Sequence, residues 1–375
     1  MKHIFILILA AAAFIKSSQA ATVPKLADPI QAIRAVGPEG RGNAAATAAW
    51  KKLAAADARS LTTILGAMDG ANDLALNWLR SAVDTVAGRE EAAGRKLPVA
   101  DLKKFLADTT HHPRARRLAY ELIARSEPSS ATNLLAGLVD DPSTELRREA
   151  IQQLLDQAAT VAKSGNTNAA VPIFRKALRS ARDVDQVEAI AKDLGKLGQP
   201  VDLPAVFGWL TDWKAIGPFD NTGGAGFARV FPPEQSIDLK AEHDGKGVKA
   251  SWVDLKAHGD YGIVDLNKPF GALKEVTGYA MTEFQSDKAR KVELRLGSQN
   301  GWKIWLNGKQ LFGRDEYHRN MEIDQYRIAA ELKPGRNVVL VKVCQNEQKE
   351  EWTKNWEFQL RVTDAIGTPI AQAKP

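Results

Sequence analysis

One cysteine, Cys344, stands in 375 residues, so no internal disulfide can form and stability must come from a buried core. Cys344 alternates with apolar residues in VVLVKVC and reads as a small buried hydrophobe, without a partner base for nucleophilic chemistry. No HExxH, paired CxxC or EF-hand loop is present, which removes the zinc and calcium centres that a sequence announces. Also missing are a GxSxG elbow, a P-loop and a dinucleotide fingerprint. Gly223-Gly224-Ala225-Gly226 forms a loop, but no Lys-Ser/Thr follows it to hold phosphate and metal. Nothing singles out two carboxylates of the kind that glycoside hydrolysis places across a cleft. Without a catalytic signature the chain reads as a non-enzymatic binding protein.

Long apolar runs are also scarce. The one that exists, IFILILAAAAFI, follows Met1-Lys2-His3 and precedes Ser18-Gln19-Ala20, small residues suited to a cut after Ala20. Residues 1–20 therefore read as a signal peptide, and the run is too short for a spanning helix. No cysteine follows the cut to carry a lipid. The expectation is an exported protein, periplasmic or extracellular. The net charge of +6 falls to +4 when Lys2 and Lys16 leave with the leader. No Lys/Arg run forms a nucleic-acid stripe.

Residues 21–203 have helical periodicity. Asn72 is placed to cap NDLALNWLRSAVDTVAGRE, where Leu74, Trp78 and Val86 lie near one stripe and Leu79, Ala82 and Val83 widen it. Pro98 and Pro128 punctuate neighbouring helices, and His111-His112 before Pro113 suit a helix start rather than a metal site. From residue 204 to 375 the period becomes two, with Gly, Trp and turn residues between runs, as in a β-sandwich.

GWKIWLNGKQLF, 301–312, raises a specific question. Asn307-Gly308 suits a two-residue turn that pairs Leu306 with Lys309, Trp305 with Gln310, Ile304 with Leu311 and Lys303 with Phe312. Trp302, Ile304, Leu306 and Leu311 then face a core, while Trp305 and Phe312 share the opposite face. A ligand, the protein's own loops, or the helical half could cover that second face. Two polar loops follow strands: GRDEYHRNMEIDQY, 313–326, and QNEQKEEWTKNW, 345–356. A sugar site needs an aromatic platform and converging polar groups. Trp302, Trp305, Arg314, Glu316, Tyr317, His318, Arg319 and Asn346 are the candidates to provide them. No cofactor is expected beyond a structural Ca²⁺, which the likeness to a sandwich fold class that often holds one implies, and to which residues 220–226 and 346–351 offer oxygens.

Several of these elements carry a family likeness. Trp213-x-x-x-Gly217-Pro218-Phe219, Gly278-Tyr279-Ala280, Leu294 to Ser298, the Trp302–Gly308 hairpin, Leu332-x-x-Gly335-x-Asn337 and the final FQLRVTD occur in the order of a galactose-binding-like jelly roll. Residues 209–370 resemble that fold. Asp141-Pro142, Leu146-Arg147-Arg148 and Ala150 resemble part of a HEAT unit. Gly165, Ala170, Phe174 and Ala177-Leu178, within 156–198, resemble a tetratricopeptide helix pair. The whole arrangement resembles exported HEAT-type proteins of planctomycete-like bacteria. The fold class implied is α+β multidomain, with a helical-repeat domain followed by an all-β jelly roll. The resemblance of architecture brings no activity with it. Three functions remain open: a carbohydrate-binding protein, a protein-interaction scaffold built on the helices, or an accessory subunit of a hydrolase.

Overall fold

The computed structural model describes residues 26–373, and the leader expected at 1–20 lies outside them. Helices come first: α1 (Ala27–Arg34), α2 (Asn43–Ala54), α3 (Leu61–Gly66), α4 (Asp73–Ala92), α5 (Val99–Ala107), α6 (Pro113–Ser126) and α7 (Pro128–Leu135). Then follow α8 (Thr144–Lys163), α9 (Thr167–Ser180), α10 (Val184–Lys196) and the short α11 (Leu203–Phe207). None of the described helices is long and apolar enough to cross a membrane.

Local chemistry explains the boundaries. Asn72 Oδ1 accepts the Ala75 N–H at 2.9 Å and starts α4. That helix buries Leu76, Leu79, Val83 and Val86, while Leu74, expected near the stripe, is exposed. The His112 ring accepts the Arg114 N–H at 3.2 Å and caps α6, with Pro113 in the first position. His111 stacks on Phe105 at 3.9 Å and sits 2.7 Å from the Asp69 carboxylate. Asp141-Pro142, just before α8, does more than begin a helix. Asp141 is buried and takes both arms of the buried Arg116 at 2.6 Å, while it also accepts the Ser143 N–H.

Contacts divide the chain into two compact units, one reaching Leu146 and the other running Arg147–Pro375. The change from helix to strand comes much later, near residue 208. Most of α8, together with α9, α10 and α11, thus falls in the unit that holds the strands. Within that unit Arg182 Nε donates to Thr368 Oγ1 at 3.2 Å, and the Tyr261 hydroxyl donates to Glu188. Ala170, Phe174 and Ala177 of α9 are buried, as are Val187, Ile190 and Leu194 of α10.

The strands are β1 (Asp212–Asp220), β2 (Glu242–Asp244), β3 (Lys249–Ser251), β4 (Val253–Lys256), β5 (Val264–Asp265) and β6 (Val276–Ser286). After them come β7 (Arg290–Ser298), β8 (Gly301–Leu306), β9 (Lys309–Arg314), β10 (Tyr326–Leu332), β11 (Gly335–Gln345) and β12 (Glu357–Thr363). They form a six-stranded sheet, β4-β1-β6-β11-β8-β9, a four-stranded sheet, β10-β7-β12-β5, and the small β2-β3 ribbon. All pairings are antiparallel. The two large sheets share one core. Ala280, Trp302, Ile304, Val341 and Val343 come from the first, and Leu294, Leu296, Phe358, Leu360 and Val362 from the second. Gly278 leaves room for Trp356 in this core, since a Cβ there would lie 2.8 Å from the indole.

Both sheets also bury part of their outer faces. On the six-stranded sheet the β1–β4 connection folds back, and Phe231 and Ala250 pack on Ile216, Phe219, Tyr279, Met281, Trp305 and Leu340. Lys342 faces outward from β11 yet is fully buried, because its ammonium donates to the Phe227 and Arg229 carbonyls (3.2 and 2.7 Å) and to Glu234 (2.8 Å). Tyr279 donates its hydroxyl to the same Glu234 oxygen. Burial pushes Lys342 below its ordinary pKa, against the pull of Glu234. On the four-stranded sheet, Asp324 takes Arg295 at 2.6 Å and Arg361 at 2.7 and 2.5 Å, and Arg361 also reaches the Phe207 carbonyl at 3.1 Å.

A third polar cluster ties two turns together. Buried Asn337 donates to the Lys333 and Gly335 carbonyls at 2.9 and 3.0 Å, and its Oδ1 accepts from the Lys333 N–H and the Asn307 amide, both at 3.0 Å. This gives the Leu-x-x-Gly-x-Asn pattern its physical content. Asn307 and Gly308 both have positive φ (53° and 80°), as the hairpin turn requires.

Two outcomes follow for stability. Asn337→Ala leaves part-buried backbone groups of the turn without their partner and should destabilise by about 1–3 kcal/mol in urea unfolding. Asp324 is raised by burial but lowered more by Arg361 and Arg295, so its folded pKa lies below the ordinary 3.8. Its stabilising contribution is therefore whole above that value and is lost as pH falls through the lower folded pKa. Asp324→Asn should cost about 3–5 kcal/mol at neutral pH, because the buried Arg361 loses its carboxylate partner and Arg295 keeps only Glu293, at 2.7 Å. The gap between variant and parent should narrow in unfolding curves taken below pH 3.8.

Candidate functional site

The hairpin of 301–312 resolves the question its sequence poses. Leu306 pairs with Lys309 and Trp305 with Gln310, as the turn predicts, but the register then shifts, so that Ile304 faces Phe312, Lys303 faces Gly313 and Trp302 faces Arg314. The extra residue is a β-bulge, which turns every following side chain to the other face. Phe312 therefore leaves Trp305 and packs on Trp302 instead, at 5.7 Å between rings. Trp302 also meets Tyr326 at 4.9 Å and is wholly buried in the shared core. It presents no face to a ligand, which corrects its place among the binding candidates.

Trp305 lies on the outer face of the six-stranded sheet, against the protein's own β1–β4 connection. It is buried there, with 5% of its surface accessible. With Met281, Val338 and Leu340 it lines a hollow of about 410 Å³. Pro233, Gln235, Ser236 and Ile237 from the connection make one wall, and the Asn307-Gly308 and Lys333–Arg336 turns make the other. Each wall is held by a cluster already described. Glu234, gripped by Lys342 and Tyr279, fixes the short α12 helix (Pro232–Gln235), and Asn337 fixes the two turns. The volume falls in the range of small-molecule sites, with an apolar floor and a few placed polar groups.

The remaining candidates gather at the loop end of the strands, where the two polar loops meet. Asn346 Nδ2 lies 2.7 Å from His318 Nε2, and the His318 N–H donates to the Gln299 carbonyl at 2.6 Å. The His318 ring meets the edge of Trp352 at 5.1 Å, and that indole is 60% exposed. Tyr317 accepts from Asn221 Nδ2 at 3.3 Å, and burial pushes its phenol up. Arg314 donates to Glu316 at 2.8 Å, and Arg319 lies 3.5 Å from the same carboxylate, which Arg314 holds below its usual pKa. These three form a chain of exposed ion pairs, worth little to stability. Tyr317, His318 and Asn346 thus come together, while Trp302 and Trp305 lie apart from them and from each other.

Of the residues expected to offer oxygens to Ca²⁺, Asp220 accepts from Thr222 at 2.7 Å and faces Lys246 at 3.2 Å, and Glu351 pairs with Lys354. No group of three or more His, Cys, Asp or Glu side chains placed to hold a metal occurs among the described residues. Cys344 is buried beside Thr277 Oγ1 at 3.4 Å, and its thiol is pushed up to about 11 by burial.

Sequence reading missed the wall residues Gln235, Ser236 and Arg336. Their one signal was indirect. Tyr279, Met281 and Leu340 point away from the core in strict alternation, so an apolar outer face had to be covered by something.

No family model matches the chain, and no curated protein matches it. Among solved structures, a GH31 alpha-xylosidase from Xanthomonas citri is similar over 42% of this chain and 16% of its own, at 13% identity and a TM-score of 0.18. At that score the likeness carries no argument about fold or activity.

The two exposed-versus-buried assignments are separable by measurement. Trp302→Ala should cost about 3–5 kcal/mol, the penalty for truncating a core aromatic. Trp352→Ala should stay within about 0.5 kcal/mol, as surface substitutions do. Thermal unfolding of the two variants checks both.

Proposed function

We propose that this is an exported, non-enzymatic carbohydrate-binding protein, and that its site is the hollow floored by Trp305. The observation that carries the reading is the composition of that hollow. An indole, a thioether and two aliphatic side chains form the floor, and an amide, a hydroxyl, an ammonium and a guanidinium (Gln235, Ser236, Lys333, Arg336) stand around it. A sugar ring has the same division, with apolar C–H faces and a rim of hydroxyls. The site stands on strands and tied-down turns, which suits a preformed pocket. In this reading the strand-rich part is a galactose-binding-like jelly roll, the helices are HEAT- or tetratricopeptide-type repeats, and residues 1–20 direct export. Any Ca²⁺ would be structural.

A second reading has one specific support. Trp352 is the most exposed large aromatic among the described residues and stands at the loop end, braced by His318. It would serve as an anchor for a protein partner, in keeping with a scaffold, or as a platform for glycan.

A glycan array probed with residues 21–375 tests both. Saturable binding should fall at least about tenfold in Gln235→Ala/Arg336→Ala, whose wall positions are exposed, while the melting temperature stays put. Ser236→Trp, which fills the hollow, should act alike. Binding that survives both changes and is lost in Trp352→Ala would move the site to the loop end.

A further inference from the structure

A second hollow adjoins the first. It has a volume of about 480 Å³ and lies over β4, β1 and β6, lined among others by Lys214, Asp254, Leu255 and Thr282. Leu239 and Met281 line both hollows. Side by side across that shared boundary, the two make a trough on the outer face of the six-stranded sheet, and their linings run over β4, β1, β6, β11 and β8 in their order in the sheet. Four strand spacings make it about 19 Å long. That is several times the width of one sugar ring.

The charges along the trough are matched. Lys256 pairs with Asp212 at 3.0 Å, Lys214 with Asp254 at 2.5 Å, Arg336 with Glu283 at 2.7 Å, and Glu234 with Lys342 at 2.8 Å. A polyanion gains affinity from cations free to meet it, and here only Lys333 is outside these pairs. Paired charges instead present alternating donors and acceptors, which suit hydroxyl groups. Resting on the reading of the Trp305 hollow as a glycan site, we infer that the ligand is an internal stretch of a linear, uncharged polysaccharide laid across the strands. A chain end or a single sugar would fill one hollow and leave the other empty.

Calorimetric titration of residues 21–375 with neutral β-1,4-linked gluco-, manno- and xylo-oligosaccharides, from disaccharide to hexasaccharide, tests this, with alginate as the acidic comparison. Affinity for at least one neutral series should rise about tenfold or more with length, as each added ring gains contacts. Lys214→Ala/Asp254→Ala, an exposed pair in the second hollow, should erase that rise and leave disaccharide binding unchanged. A disaccharide bound as tightly as a hexasaccharide would overturn the trough and leave the Trp305 site standing. So would a loss in the double variant that is equal at every length. Tighter binding of alginate than of any neutral series would overturn the uncharged class. No binding by any saccharide would overturn the trough and the glycan reading together.

Discussion

Lys342 is the residue on which the accessible face of the strand-rich unit depends. An ammonium on a central strand, wholly buried, must be supplied with acceptors by the chain itself. It receives two carbonyls and one carboxylate, all from the β1–β4 connection. The connection is thereby fixed at one place on the sheet, and Tyr279 restrains the carboxylate from the neighbouring strand. An apolar residue at 342 would pack as well but would not specify where the connection lies. Burial of charge here fixes position, and any gain in stability is secondary.

The other outer face repeats the device with the signs elaborated. Arg295 and Arg361, on adjacent strands, converge on Asp324 from the β9–β10 loop, and Arg361 reaches the segment leading into β1. In both cases a cation rises from the sheet and irregular backbone bends to meet it. The sheet supplies rigidity, and the cation supplies the address. Loops that would otherwise move are held to the strands at single, defined points, and the walls of the trough inherit that order.

The class of fold was legible from the sequence because its signals are local. Asn72, Pro113 and Asp141-Pro142 mark helix starts by side-chain chemistry that acts within three residues. The Asn307-Gly308 turn and the alternation in β11 are equally local. What could not be read was set at longer range. The bulge in β9 gives no composition signal, yet it moved Phe312 to the opposite face from Trp305. Trp302 and Trp305 are three residues apart in one strand, so alternation separates their faces: the first lies in the shared core and the second lines the hollow. Tyr317, His318 and Asn346 did come together, since both of their loops leave strands at the same end. The wall at 232–239 was invisible because its place is dictated by Lys342, more than a hundred residues away.

The helices α9 and α10 belong with the strands, held by Arg182 to Thr368 and by Glu188 to Tyr261. This has a consequence for how such a protein can be inherited in pieces. A gene fragment beginning where helix gives way to strand would encode a sandwich missing two of its own buttresses, with Tyr261 and Thr368 turned to solvent. The exchangeable module is longer than the fold pattern suggests: its seam falls in the first turn of a helix, α8, so shuffling at the visible boundary would yield a damaged part.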